Sequence, residues 1–523
     1  MRGGIGRRVA VFAMLAGLVG AVGCEGDGGD RGPELRAQSI APGCTPIPAL
    51  SPFPSGLAVL SDAVRRATVV QLQPNAVVVY DVDRERPATA AVYMLPLDSD
   101  GDGIDDAVAN TPFAGFPFVY PTPGEIQAPS DELGLVSTSG YEQVLFVDPA
   151  TASPVTVEID VPAAIPPERF PLLPAPGTSA MRTGLPTRAC IGPTDPVDSE
   201  GMAVGVEPLC STTTPSFLTN LTAGKAVAAG RLFVATSNLR TGGRFFPSSV
   251  LVFDWTDAGG SIVVRPSVAT PFLEPSGFNA TGLQRIVTPG GRELVLVVVS
   301  GAVGTGSGAS NVLTDGSVDV IDPTAPRIAA TIPLGAAGPA FDAPAVDPQG
   351  RVAWLGATSE RQVYAVDLRA LDDPALYAGG GPPVVLDGLT PGFPDARIFD
   401  ADDPLVLPAR SDGRSSASCE GLTDVASNAS GTEVLATDFC DGTVTRIAVD
   451  LPPGTAIPAP RAQFQVFAQS NAFAPNDAVG ELRAPIRIVA RPGVPGVDYT
   501  TPDVLTIVGQ PDGQLCALRI ESP

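Results

Sequence analysis

Apolar residues along this chain recur at every second position in short runs, each broken by Gly, Pro, Asn or Asp. That period predicts half-buried strands rather than helices. The runs come in pairs, the second of each pair closing on an acid at residues 77–81, 144–148, 250–254, 318–322, 363–367, 446–450 and 517–521. Partner strands are predicted upstream of each, at 67–72, 133–138, 231–236, 293–300, 351–356, 433–438 and 503–508. Turn residues such as Asp441-Gly442 support hairpins at these places. The closing acids lie between 45 and 106 residues apart, so several loops between strands are long.

Repeated hairpins suggest the blades of a ring. The stretches 345–368 (AVDPQGRVAWLGATSERQVYAVDL), 425–450 (VASNASGTEVLATDFCDGTVTRIAVD) and 316–335 (GSVDVIDPTAPRIAATIPLG) resemble the YVTN-type β-propellers of bacterial envelopes, which are related in shape to the lactonase-like propellers. The Tyr-Val-Thr-Asn tetrad of that family is absent, and Leu435-Ala436-Thr437-Asp438 comes closest. The resemblance implies an all-β, seven-bladed β-propeller over residues 44–523. The last closing strand falls almost at residue 523, so its blade needs an outermost strand from the N-terminal segment. Circular closure of that kind hides strand edges. Two β-sandwiches in tandem are the alternative.

The first residues form a separate region. Arg2, Arg7 and Arg8 precede an apolar run from Val9 to Gly23, too short for a stable membrane span, so residues 1–23 read as a signal peptide. Its end, Ala21-Val22-Gly23-Cys24, resembles the bacterial lipobox, with Ala21 where that motif usually has Leu. The resemblance implies a diacylglycerol on Cys24 and a lipid-anchored location in the bacterial cell envelope (outer membrane, periplasmic or surface face), with the receiving membrane and leaflet left open; plain secretion is the alternative. Residues 24–43 are Gly-rich, acidic and without apolar periodicity, as expected of a flexible lipidated tether.

Composition narrows the function. Gly (57) and Pro (56) leave little uninterrupted chain for helices. A formal charge of −24, with Lys225 the only lysine, repels nucleic acid and anionic headgroups, so membrane contact is expected through the lipid alone. There is no histidine, which excludes His-dependent triads and His-based metal sites. Six cysteines besides Cys24 favour three disulfides in an exported chain. Among the many possible pairings, Cys44 with Cys516 would lock the ring's seam; proximity suggests Cys190 with Cys210, inside an insertion at 163–229, and Cys419 with Cys440.

The sharpest chemical motif is a loop. Asp98, Asp100, Asp102 and Asp106 occupy positions one, three, five and nine, Gly103 permits the sharp turn, and Ile104 offers its carbonyl at seven. This pattern resembles the calcium loops of thrombospondin type 3 repeats and EF-hand-like extracellular modules, except that Ala109 stands where those loops place an acid. Weak structural calcium binding is expected; a solvated acidic turn is the alternative. The run Asp400-Ala401-Asp402-Asp403, the sequons at Asn220 and Asn279, and the Gly-rich segment 301–308 carry no specific chemistry. The leading expectation is a lipid-anchored, non-enzymatic propeller that presents loops to a ligand or an envelope protein, with no catalytic residue assigned. The alternative is a calcium-dependent propeller hydrolase or lactonase.

Overall fold

The computed structural model describes residues 43–46, 54–61, 64–72, 75–82, 88–95, 123–138, 142–196, 203–210, 216–218, 229–236, 239–240, 244–257, 260–303, 312–313, 315–335, 344–357, 361–408, 422–428, 431–438, 441–449, 464–470, 485–490, 504–508 and 514–518. Among them the only helical turns are the 3-10 segments Leu368–Asp372 and Pro374–Tyr377. Everything else regular is strand. All the strand pairs expected from the alternating pattern form antiparallel ladders.

These ladders belong to a β-propeller. Blade 1 runs Pro54–Val59, Arg66–Leu72, Asn75–Asp81, Ala88–Met94 from inside to outside. Blade 2 is built on Pro123–Ser130, Leu133–Thr138 and Gln143–Asp148, and blade 3 on Ser216–Leu218, Ala229–Thr236, Ser249–Asp257 and Ile262–Pro266. Blade 4 contains Ala280–Val287, Glu293–Val299, Gly316–Asp322 and Arg327–Gly335; blade 5 contains Ala345–Val346, Val352–Gly356, Gln362–Asp367 and Arg397–Phe399. Blade 6 is Leu422–Ser427, Glu433–Asp438, Thr443–Val449 and Phe464–Ser470.

Valine-rich strands are buried on both faces because the cores lie between blades. Phe146 and Phe253 meet between blades 2 and 3, Phe233 and Val297 between blades 3 and 4, and Leu296 and Tyr364 between blades 4 and 5. Val70 and Leu145 share the core of blades 1 and 2, as Trp354 and Ile447 share that of blades 5 and 6. A chain of shared interfaces overturns the tandem-sandwich alternative, in which each sheet pair would keep its own core. Packed interiors are described for six blades, not the expected seven. A further four-stranded sheet is described by backbone pairing: Pro485–Ala490, Val504–Val508, Gln514–Leu518 and, on its outside, Gly43–Pro46. Its register sets Cys44 opposite Cys516, and Pro485–Ala490 lies against both Leu422–Ser427 and Pro54–Val59.

Two blades carry added edge strands. After Asp148 the chain turns and pairs Ser153–Pro154 back onto blade 2, then leaves it, lays Val157–Val161 parallel to the outer strand of blade 3, turns back through Thr178–Arg182, and returns to blade 2 at Gly184–Pro186. The insertion therefore starts earlier than the expected 163. From blade 5, Val384–Val385 adds in parallel to the outer strand of blade 4. Only blades 3 and 4 are bordered this way among the described residues.

Three of the acids that close the predicted strands have a local cause. Asp148 Oδ1 accepts the N–H groups of Ala150 (2.8 Å) and Thr151 (3.1 Å), Asp322 accepts that of Thr324 (2.9 Å), and Asp367 accepts that of Arg369 (3.0 Å). Each carboxylate folds the turn after its own strand. At the start of the Gly-rich segment 301–308, Ala302–Val303 pairs with Val312–Leu313 in a small hairpin.

Candidate functional site

The turns of blades 3 and 4 and the helical excursion of blade 5 enclose a groove of about 880 Å³. Gly230, Arg231, Asp254 and Trp255 form one wall; Gly290, Gly291, Arg292 and Glu293 form the other; Pro323, Thr324 and Asp372 complete it. Arg231 spans the two blades: its Nε lies 3.2 Å from Asp254 Oδ1, while Nη1 donates to the carbonyls of Pro323 and Thr324 across the interface. Glu293 is engaged by Arg285 Nε at 2.5 Å. Asp372 accepts the Thr288 hydroxyl and the Gly290 N–H (2.9 Å), which pins the turn of blade 4 to blade 5.

Arg292 differs from these. Its guanidinium carbon lies 3.8 Å from the centre of the Tyr377 ring, a cation–π distance, and its buried Nε meets no hydrogen-bond partner among the described residues. Burial holds the Tyr377 phenol above its ordinary pKa, the fields of Asp322 and Asp372 adding to it and those of Arg292 and Arg327 opposing it. The ring is therefore a neutral platform near pH 7, its hydroxyl donating to Leu371 O at 2.9 Å. The groove thus offers one cation on an aromatic face beside acids that are already hydrogen-bonded.

Elsewhere, buried polar groups hold the ring together. Asp319, fully buried in blade 4, accepts the Ser276 N–H at 2.6 Å and the Thr331 hydroxyl at 2.7 Å, tying the 267–279 connection to the sheet. Burial raises its carboxyl pKa, and these hydrogen bonds only partly oppose the shift. Arg361 of blade 5 reaches Asp438 (3.3 Å) and Asp441 (3.2 Å) of blade 6. Near the axis, Gln127 Nε2 of blade 2 donates to Leu283 O of blade 4 at 3.3 Å, so these two inner strands meet at that level.

The residues singled out in the sequence fall mostly elsewhere. Cys190 and Cys210 are joined, closing the hairpin Cys190–Thr194 with Glu207–Cys210. Cys24, the loop Asp98 to Asp106, Cys419 and Cys440 lie outside the described residues. Asp400 folds its own turn by accepting the N–H groups of Asp402 and Asp403, and pairs with Arg397 at 3.3 Å. Among the described residues no group of three His, Cys, Asp or Glu side chains converges as a metal site would, and no helix is long and apolar enough to cross a membrane. The groove was missed because its parts are far apart in sequence; the one local signal was the turn Gly290-Gly291-Arg292.

No family model matches the chain, and no curated protein is significantly similar to it. Solved structures are similar in fold. The Dos1 propeller is 10% identical, covering 89% of this chain and 77% of its own, with a TM-score of 0.40. The Cps50 (Swd1) β-propeller domain of Myceliophteria thermophila is 10% identical over 91% of this chain and 99% of its own, with a TM-score of 0.44. A protein from Lactobacillus plantarum is 10% identical over 80% and 84% of the two chains, with a TM-score of 0.38.

Proposed function

We propose that this chain is a cell-envelope β-propeller, carried to a membrane by a lipid on Cys24, that binds a polypeptide partner through the groove around Arg292. The observation that carries this reading is the Arg292 guanidinium: it lies on Tyr377 in a groove of about 880 Å³, with a buried Nε that no described acceptor satisfies. A partner carboxylate entering the groove would pair with the guanidinium, and the aromatic face would keep the cation in place. Such an Asp or Glu side chain would be discriminated by charge, because the neighbouring acids of the groove already have donors.

The ring in this reading closes through the sheet that contains Gly43–Pro46, counted as a seventh blade and locked by Cys44 to Cys516. Support comes from its position against blades 6 and 1 and from the register of the two cysteines. The protein would then begin its folded part at the same strand that receives the tether.

One experiment tests partner and anchor together. A photoreactive phenylalanine in place of Pro289, which is exposed beside the groove, should yield a discrete cross-linked protein in the native envelope, and Arg292→Glu should remove it. Cys24→Ser should move both partners of the adduct to the soluble fraction. No adduct from position 289 would end the groove reading; an unmodified N-terminus found by mass spectrometry would end the anchor.

A further inference from the structure

Outer strands are where a propeller must dispose of unpaired backbone groups, and this molecule treats its edges unequally. Blade 3 is bordered by Val157–Val161, with Glu158 opposite Val263 and Ile159 opposite Val264. Blade 4 is bordered by Val384–Val385, opposite Ala330 and Thr331. Blade 1 ends at Ala88–Met94, which pairs inward with Asn75–Asp81 and outward with nothing among the described residues.

Within its own bounds that strand carries none of the usual sequence protection. Its sequence, Ala-Thr-Ala-Ala-Val-Tyr-Met, contains no charge and no proline over seven residues. Ala91 and Tyr93 pack against the core shared with blade 2, while Val92 (44% exposed) and Met94 (52% exposed) face solvent. The Leu95 N–H points inward to Asn75 O at 3.0 Å. By the alternation of a strand, the N–H groups of Val92 and Met94 therefore point out of the sheet, where no strand of the described residues pairs with them.

We propose that Ala88–Met94 is a docking edge that takes a strand from a cationic polypeptide partner. Main-chain pairing supplies the affinity, and Val92 and Met94 supply an apolar face for alternate side chains of the incoming strand. The partner's charge follows from the whole molecule: an uncharged edge on a chain of −24 attracts a strand flanked by Lys or Arg and repels a second copy of itself. The molecule already accepts this mode of pairing twice, on blades 3 and 4, with strands from its own chain. This edge is separate from the Arg292 groove and does not depend on it.

The probe is a synthetic peptide of three lysines followed by alternating Thr and Val, fluorescently labelled and titrated by anisotropy against the full chain. Saturable binding is expected, weakening at least tenfold when alternate backbone nitrogens of the peptide are methylated, a change that leaves every side chain in place. Val92→Pro removes an outward N–H together with the Val92 side chain of the docking face, and should abolish binding while the melting temperature stays within a few degrees and the cross-link from position 289 persists. If Val92→Pro unfolds the blade, the methylated peptide still decides the question. Equal binding of the two peptides, or no saturable binding by the unmodified one, overturns the docking edge; loss of the position 289 adduct with peptide binding intact overturns only the groove reading.

Discussion

Blade 3 is bordered by a strand that blade 2 sends out and takes back within a few dozen residues, whereas the sheet at the seam is bordered by Gly43–Pro46, from the opposite end of the chain. Both strands cover an edge. The first is held by contacts formed along a short excursion and by the Cys190–Cys210 bridge close behind it, so its loop entropy is small. The second must be found by a segment hundreds of residues away. A ring can therefore be robust around blades 3 and 4 and still depend on one distant pairing, which is where a covalent link stabilises most.

The largest expected effect tests that difference. If Cys44 and Cys516 are bridged, Cys44→Ser should cost about 6 kcal/mol in the chain-entropy model, against about 3 kcal/mol for Cys190→Ser, whose bridge spans 20 residues. Urea midpoints of the two variants decide it, and equal losses would mean that the seam has no special dependence on its bridge. Next comes the interface between blades 4 and 5. Gly350 has φ +66°, and an added methyl would collide with Val287 O, so Gly350→Ala should lose about 3 kcal/mol. Gly380→Ala, in open space, should lose nothing measurable; similar melting temperatures for the two would show that this interface yields easily.

A smaller effect separates blade 4 from the seam by pH. The Asp319 carboxyl has a pKa raised by burial, so its contribution is complete below the ordinary carboxylate pKa and is lost as pH rises through the folded value. Relative to Asp319→Asn, whose amide can accept from the Ser276 N–H and donate to Thr331, the native protein should lose stability across that window. Parallel curves of urea midpoint against pH for the two proteins would remove Asp319 from the account. The smallest expected effect is calcium at Asp98 to Asp106: millimolar Ca²⁺ should raise the melting temperature modestly, and Asp100→Ala should erase the rise. Identical melts with and without Ca²⁺ would leave only an acidic turn.

The hairpins were legible because valine alternation and turn glycines are local signals. Leu133–Thr138 and Glu433–Asp438 have the bounds read from the sequence alone. Even the closing acids carried a true signal, although its meaning is a folded turn: Asp148 and Asp322 spend their carboxylates on N–H groups two or three residues away. The added edge strands were not legible. Val384–Val385 has the composition of any short apolar run, and its parallel partner Ala330–Thr331 is set by packing of the whole excursion. Arg292 and Tyr377 were hidden for the same reason, since nothing local announces a cation and a ring that meet only after two blades have packed.

The strand Gly43–Pro46 has a mechanical consequence. It lies antiparallel to Gln514–Leu518, so tension entering through the residues before Gly43 along the strand axis loads its short ladder in shear, all its hydrogen bonds sharing the force. Tension at right angles would peel the same bonds one after another. The orientation in which the chain leaves residue 43 thus sets how much pull the ring withstands before it opens; single-molecule extension between residues 43 and 514, at opposite ends of the pair, would register the shear threshold, and extension between residues 43 and 518, at the same end, the lower peeling one.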